Sequence, residues 1–106
     1  MTPDLNRLDG RTAIVTGGGT GIGKAIAEAF ARAGAHVVVS GRTPETIEPV
    51  ARAIGGTAVI CDVSRLDHVE AMFARALTVS GKVDVLVNNA GPVSYTHLTL
   101  PTNREV

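Results

Sequence analysis

The sequence has little cysteine, no net charge and no long hydrophobic run, and each deficit excludes a class of protein. Its single cysteine, Cys61, cannot form an internal disulfide, which excludes a disulfide-stabilised secreted scaffold and favours a reducing compartment. Ten basic residues balance ten acidic ones, without the basic block that attracts nucleic acid or an anionic membrane. No apolar run approaches the length of a bilayer span. We therefore expect a cytoplasmic protein without a nucleic-acid or membrane partner.

Aromatic residues are also scarce, at 3% of the chain, while glycine, alanine, valine and isoleucine dominate its apolar composition. This mixture favours strands packed tightly against alanine-rich helices. It excludes disorder, which requires low hydrophobicity and high net charge. At 106 residues, the chain has the size of one small domain.

Strand and helix patterns alternate along the chain. Short apolar, β-branched runs predict strands at residues 12–16, 36–40, 57–61 and 83–87, and amphipathic segments between them predict three helices. Four strands joined by three helices predict an α/β fold with a parallel sheet. The predicted inner face of the first helix comprises Ile22, Ile26, Ala29, Phe30 and Ala33.

The second and third helices carry signals at their ends. Thr43 followed by Pro44 predicts the start of the second helix, and its interior Pro49 indicates either a late start or a kink. Ser64 with Asp67 three residues later predicts the N-terminal cap of the third helix. That helix should pack on the sheet through Leu66, Val69, Phe73 and Ala76 and end at Gly81.

A glycine-rich loop, Thr16-Gly17-Gly18-Gly19-Thr20-Gly21-Ile22-Gly23, connects the first strand to the first helix. Glycines allow a tight turn and the close approach of a pyrophosphate to the backbone. The start of the helix then offers free N–H groups and a positive dipole end to the phosphates. The loop therefore indicates a dinucleotide site, and the alternative is a flexible connection between strand and helix.

Residues 18–24 also match G-x-x-x-x-G-K, the phosphate loop of nucleotide triphosphatases. That motif requires a following Ser or Thr to bind magnesium, and the residue here is Ala25. Lys24 also shares a polar stripe with Glu28, as a solvated surface lysine would. A triphosphatase is thus the remote alternative.

Three motifs stand in order at the ends of the first, third and fourth predicted strands: Thr16-Gly17-x-x-x-Gly21-x-Gly23, Asp62-Val63 and Asn88-Asn89-Ala90-Gly91. Together they closely resemble the short-chain dehydrogenase/reductase family over about residues 8–91, the first third or so of a typical member. The resemblance implies a Rossmann-type, doubly wound parallel sheet, truncated to four strands in the order 3-2-1-4. This half-domain would occupy residues 1–92.

The resemblance also implies where a dinucleotide cofactor binds. The residues implied are Gly17, Gly19, Thr20 and Ile22 at the pyrophosphate, Asp62 and Val63 at the adenine, and Asn89, Ala90 and Gly91 beneath the nicotinamide ribose. Two alternatives are structural. Asp62 could cap the next helix, and one residue of the Asn88-Asn89 pair could tie neighbouring strand ends together.

Arg42 predicts the choice between the two nicotinamide cofactors. Members of the family that prefer NAD carry an acidic residue at the end of the second strand, where this chain has Gly41 followed by Arg42. A guanidinium can hold a 2′-phosphate through two charge-assisted hydrogen bonds, and Ser40 and Thr43 add hydroxyl donors nearby. We predict a preference for NADP(H), with NAD(H) as the second cofactor. The alternative is that Arg42 is only a solvent-facing loop residue.

No residue of the chain matches the catalytic residues of the family, which centre on a tyrosine with a lysine four residues later. The only tyrosine, Tyr95, has Thr99 at that position. We expect the parent protein to be a homo-oligomeric, NADP(H)-dependent enzyme that acts on carbonyl or alcohol substrates. The present chain would be a fragment of it that contains neither catalytic nor metal-binding residues. The alternative is a non-catalytic nucleotide-binding fragment.

Residues 93–106 lack any helical period and do not resemble the next segment of the family. They look like translated sequencing-adapter or vector sequence joined to a truncated reading frame. We therefore predict an irregular tail of non-native origin. The alternative is a native loop that contacts substrate.

Overall fold

The computed structural model describes residues 8–89 and shows strands and helices in strict alternation over that range. The elements are β1 (Thr12–Thr16), α1 (Gly21–Arg32), β2 (His36–Gly41), α2 (Pro44–Ile54), β3 (Thr57–Ile60), α3 (Leu66–Ser80) and β4 (Val85–Val87). All strand pairs are parallel, in the order β3-β2-β1-β4. The predicted fold class and strand order are confirmed, although β3 and β4 are shorter than predicted. Ala90, Gly91 and the segment 93–106 lie outside the described residues.

The helices cover the sheet on both faces, which is why its strands are almost uniformly apolar. Successive side chains of a strand point to opposite faces, so Ala13 and Val15 join one core cluster while Ile14 joins the other. The first cluster is completed by α1 and α2, and the second by α3. Within residues 8–89, no helix combines the length and the apolar character needed to cross a membrane.

The predicted inner face of α1 is wrong at two positions. Ile22 is 72% exposed and Ala29 is exposed, whereas Gly23 and Ala27 are buried. The two smallest residue types allow α1 to approach the glycine loop and the sheet closely, so they occupy the contact. Ile26 and Phe30 pack partly buried beside them, as predicted.

The helix ends agree with the sequence signals except at the start of α3. The second helix begins at Pro44 and continues through Pro49, so Pro49 does not delay it. The N-cap position of α3 is occupied by Arg65. The predicted Ser64 cap is wrong, because Ser64 donates its N–H and its hydroxyl to Asp62 instead. At the other end, Gly81 closes α3 with a φ of 81°, as predicted. Leu66, predicted to pack inward, is 46% exposed, and Met72 is buried in the core instead.

Candidate functional site

The turns that follow the four strands border a cavity of about 560 Å³. It lies at the carboxyl edge of the sheet, where open α/β folds bind their ligands. The predicted site residues that line it are Gly17, Gly19, Thr20, Arg42, Asp62, Val63 and Asn89. The parallel topology therefore brings together side chains from four separate segments of the chain.

The glycine loop at the floor of this cavity can be built only with glycine at particular positions. Gly17 and Gly21 have φ values of 64° and 57°, which side chains rarely adopt. At Gly23, an added β-carbon would overlap the carbonyl oxygen of Gly17. The loop is thus folded tightly enough for α1 to begin directly above it.

Neighbouring elements hold the same loop from behind and from the side. The N–H of Gly18 donates to the carbonyl of Ser40 at 3.2 Å, and a β-carbon at Gly18 would lie 2.7 Å from Val39 Cγ1. A β-carbon at Gly19 would lie 2.7 Å from Thr46 Oγ1 on α2. The loop is therefore packed against both β2 and α2, which leaves no room for side chains at Gly18 and Gly19.

The start of α1 is suited to a phosphate. Thr20 makes no capping hydrogen bond with its side chain, and the first turn contains no acidic residue. The first N–H groups of a helix have no partner within it and carry its positive dipole end. With neither a side-chain cap nor a carboxylate competing for them, these groups in the described structure are available to an anion.

Asn89 ties the end of β4 to the end of β1. Its N–H donates to the buried hydroxyl of Thr16 at 2.9 Å, and the same hydroxyl donates to the carbonyl of Val87 at 3.2 Å. Asn89 Nδ2 also lies 3.5 Å from the carbonyl oxygen of Gly17. Of the asparagine pair, Asn89 thus joins the strand ends, whereas Asn88 Oδ1 is buried with no hydrogen-bond partner in the range 8–89.

Asp62 presents an ionised carboxylate to the cavity. Its Oδ1 accepts from Ser64 N at 3.0 Å and from Ser64 Oγ at 2.6 Å. These bonds lower the pKa of the Asp62 carboxyl, and the charge of Arg42 lowers it further. Oδ2 forms no hydrogen bond to any described residue, so it can accept one from a ligand. The alternative that Asp62 caps α3 is wrong, because its bonds go to Ser64 before the helix begins.

Two residues predicted for cofactor binding, Ile22 and Ser40, lie outside the cavity lining. Ile22 is exposed on the first turn of α1, and Ser40 is fully buried within β2. Ser40 Oγ is buried without a hydrogen-bond partner among residues 8–89, and burial raises the pKa of the nearby Cys61 thiol. The adjacent Arg42 is exposed and does line the cavity.

Sequence reasoning missed three residues that shape the site. Thr46 and Ser64 line the cavity, and His68 accepts a hydrogen bond from the backbone of Asp62. The pattern Asp-x-Ser, in which an aspartate bonds the backbone two residues later, could have indicated the role of Ser64. Neither Thr46 nor His68 belongs to a recognisable motif.

A family model described as short chain dehydrogenase matches residues 11–104 of the chain. The 7alpha-hydroxysteroid dehydrogenase of Escherichia coli strain K12 is 47% identical over 93 residues, which cover 83% of this chain and 36% of that protein. The crystal structure of hydroxysteroid dehydrogenase from Escherichia coli has a TM-score of 0.81 at 43% identity, covering 87% of this chain and 40% of that one.

A third relative is the crystal structure of 3-ketoacyl-(acyl-carrier-protein) reductase from Brucella melitensis complexed with NADH. It has a TM-score of 0.76 at 44% identity, over 78% of this chain and 35% of that one. The chain therefore spans little more than a third of the length of its relatives. The family match extends into residues 93–106, and the non-native origin of that segment stays a prediction. From the fold, the glycine loop and these matches together, the chain belongs to the short-chain dehydrogenase family.

Proposed function

We propose that the chain is the NADP(H)-binding part of an oxidoreductase that acts on a carbonyl or alcohol substrate. The observation that carries the proposal is the convergence of the glycine loop, Arg42 and Asp62 on one cavity. The three features offer, in turn, backbone N–H groups, a guanidinium and a carboxylate. These groups complement a diphosphate, a ribose phosphate and an adenine amino group.

The diphosphate would lie over residues 17–23, where α1 begins without a competing carboxylate. Adenine would lie at Asp62 and Val63, with its amino group donating to Oδ2 of Asp62. Asn89 would lie beneath the ribose next to nicotinamide, together with Ala90 and Gly91, which are outside the described residues. When bound, the cofactor would supply or accept the hydride.

Arg42 supports NADP(H) over NAD(H). It is exposed at the cavity, and the residue before it, Gly41, has no carboxylate to repel a phosphate. Its charge also reaches Asp62, whose pKa it helps to lower. The adenosine end of the cavity is thus bordered by the positive charge of Arg42, which would bind the phosphate, and by the negative charge of Asp62, which would bind the base. Thr43 adds a hydroxyl to the same lining.

The residues that transfer the proton are proposed to lie outside this sequence, as Tyr95 and Thr99 do not match the catalytic pattern of the family. Substrate class, homo-oligomeric assembly and cytoplasmic location are predictions for the parent enzyme. The remote triphosphatase alternative is disfavoured by Ala25, which supplies no hydroxyl for magnesium, and by the exposed position of Lys24.

Calorimetric titration of the 106-residue chain with NADP⁺, NAD⁺ and magnesium-ATP tests the proposal. A hydrogen-bonded ion pair contributes about 1.5–3 kcal/mol, so NADP⁺ is expected to bind about 10- to 100-fold more tightly than NAD⁺. Magnesium-ATP should bind most weakly. Equal affinities for NADP⁺ and NAD⁺ would contradict the predicted preference, and tighter binding of magnesium-ATP would contradict a dinucleotide site.

A further inference from the structure

The imidazole of His68 contacts the turn that carries Asp62 at the edge of the cavity. His68 lies in the first turn of α3, and its Nδ1 accepts a hydrogen bond from the backbone N–H of Asp62 at 3.1 Å. A backbone N–H can only donate, so Nδ1 must be unprotonated. The neutral ring therefore carries its proton on Nε2.

This hydrogen bond anchors the turn that carries Asp62. The other bonds of the turn run to β2 or within the turn itself, from Cys61 N to the Gly41 carbonyl at 2.8 Å and from Arg65 N to the Asp62 carbonyl at 2.9 Å. The bond to His68 instead connects the Asp62 backbone to α3. It is therefore suited to hold the Asp62 carboxylate at a set distance from the helix.

We infer that His68 is a positioning residue for the adenosine end of the cofactor and makes its binding depend on pH. The inference rests on the proposed NADP(H) site. His68 does not line the cavity and acts through the backbone of Asp62. Protonation places an N–H at Nδ1 opposite the N–H of Asp62, and two donors cannot bond each other. The turn is then released from α3, and adenine loses a fixed acceptor.

Charged groups of both signs surround His68. The carboxylates of Asp62 and Asp67 both lie close enough to interact with a charge on the ring. Two guanidiniums oppose them, Arg65 paired with Asp67 at 2.9 Å and Arg42 acting on Asp62. Cys61 stays a neutral thiol because burial raises its pKa. Of these groups, His68 is the one that bonds the backbone N–H of Asp62 in the described residues.

The test compares the wild-type chain with His68→Asn, whose side-chain oxygen can accept in place of Nδ1 but cannot be protonated. Dissociation constants for NADP⁺ are measured from about pH 8 to about pH 5, the range in which histidine ordinarily titrates. The phosphate of NADP⁺ titrates alike for both proteins, so the ratio of their affinities isolates His68. We expect the two proteins to bind NADP⁺ equally at about pH 8. At about pH 5, His68→Asn should bind about fivefold more tightly than wild type, because wild type has then lost one hydrogen bond.

Two controls complete the test. His36→Asn removes a histidine that bonds Thr57 at 3.0 Å, and it should leave the pH dependence of binding unchanged. In the ligand-free wild-type chain, the NMR shift of the Asp62 amide proton should change as His68 titrates, and in His68→Asn it should not. Wild-type binding that parallels His68→Asn at every pH, or an Asp62 amide that does not respond, would overturn the role of His68 alone. Absence of NADP⁺ binding by wild type at every pH would overturn the proposed function as well.

Discussion

The α-carbon of Gly23 lies so close to the carbonyl oxygen of Gly17 that a β-carbon at residue 23 would overlap that oxygen. The same β-carbon would stand 2.7 Å from Nδ2 of Asn89. Replacement of Gly23 by Ala should therefore push α1 away from the loop and from β4. We expect the free energy of unfolding to fall by about 1–3 kcal/mol, as for other overpacked sites, and NADP⁺ affinity to fall with it. Urea unfolding and calorimetry measure the two effects.

Gly10→Ala is the matched control. Gly10 has a φ of 76° and an added β-carbon would meet nothing within 4 Å, so this substitution costs about 1–2 kcal/mol through its backbone conformation alone. It should leave NADP⁺ affinity unchanged in the folded protein. Equal loss of affinity in both variants would show that general destabilisation, rather than the shape of the glycine loop, determines binding.

Arg42→Ala should weaken NADP⁺ binding much more than NAD⁺ binding. Loss of a charge-assisted pair predicts a decrease of about 10- to 100-fold for NADP⁺, while the affinity for NAD⁺ should change by no more than the loss of one exposed contact. Calorimetry with both nucleotides checks this. The control is Arg52→Ala, at an exposed position in the last turn of α2. Equal losses for the two nucleotides in Arg42→Ala would refute its role in selectivity.

Thr16→Val should destabilise the junction between β1 and β4. The hydroxyl of Thr16 is buried and bonds both Asn89 N and the Val87 carbonyl, and valine keeps its shape but neither bond. Leaving a buried group without a partner costs about 1–3 kcal/mol, measured by urea unfolding. Thr78→Val removes an exposed hydroxyl bonded to the Ala74 carbonyl and should cost far less. Similar costs at the two sites would contradict a special role for Thr16.

Asp84 should make stability depend on pH in acid. The side chain of Asp84 is 7% exposed, and burial raises the pKa of its carboxyl. The hydrogen bond from the N–H of Thr12 at 2.8 Å and the charges of Lys82 and Arg11 outweigh burial and lower the pKa overall. A lowered carboxyl pKa stabilises the fold above the ordinary aspartate value of about 3.9. That stability is lost as the pH falls through the lowered value.

Asp84→Asn should therefore show a shallower decline in the free energy of unfolding below about pH 4 than wild type does. Asp67→Asn is the control, because the pair of Asp67 with Arg65 is exposed and such pairs contribute little. Urea unfolding at a series of acidic pH values measures all three proteins. If wild type and Asp84→Asn decline in parallel, Asp84 is not the group responsible.

The sheet could be predicted from the sequence because its strands are buried on both faces. Short runs of β-branched residues such as Val37-Val38-Val39 favour a buried strand, and the positions of β1 and β2 agree closely with prediction. The inner face of α1 could not be predicted by hydrophobic period alone. Ile22 is exposed because the contact is made by Gly23, the residue that fits against Gly17.

The site could be predicted where a motif marks it and not where a single side chain acts through the backbone. The glycine loop, Arg42 and Asp62, which the sequence singled out, line one cavity, and their role in cofactor binding stays a prediction. Ser40, adjacent in sequence to the cavity turn, is fully buried, since helices cover both faces of the sheet. His68 was missed because its role depends on the path of the turn between β3 and α3, which sequence spacing does not determine.

A crystal structure of the chain with NADP⁺ tests the nucleotide site most directly. We expect the diphosphate over residues 17–23, the 2′-phosphate within hydrogen-bond distance of the Arg42 guanidinium, and the adenine amino group beside Oδ2 of Asp62. A nucleotide bound away from the glycine loop would contradict the assignment of the cavity.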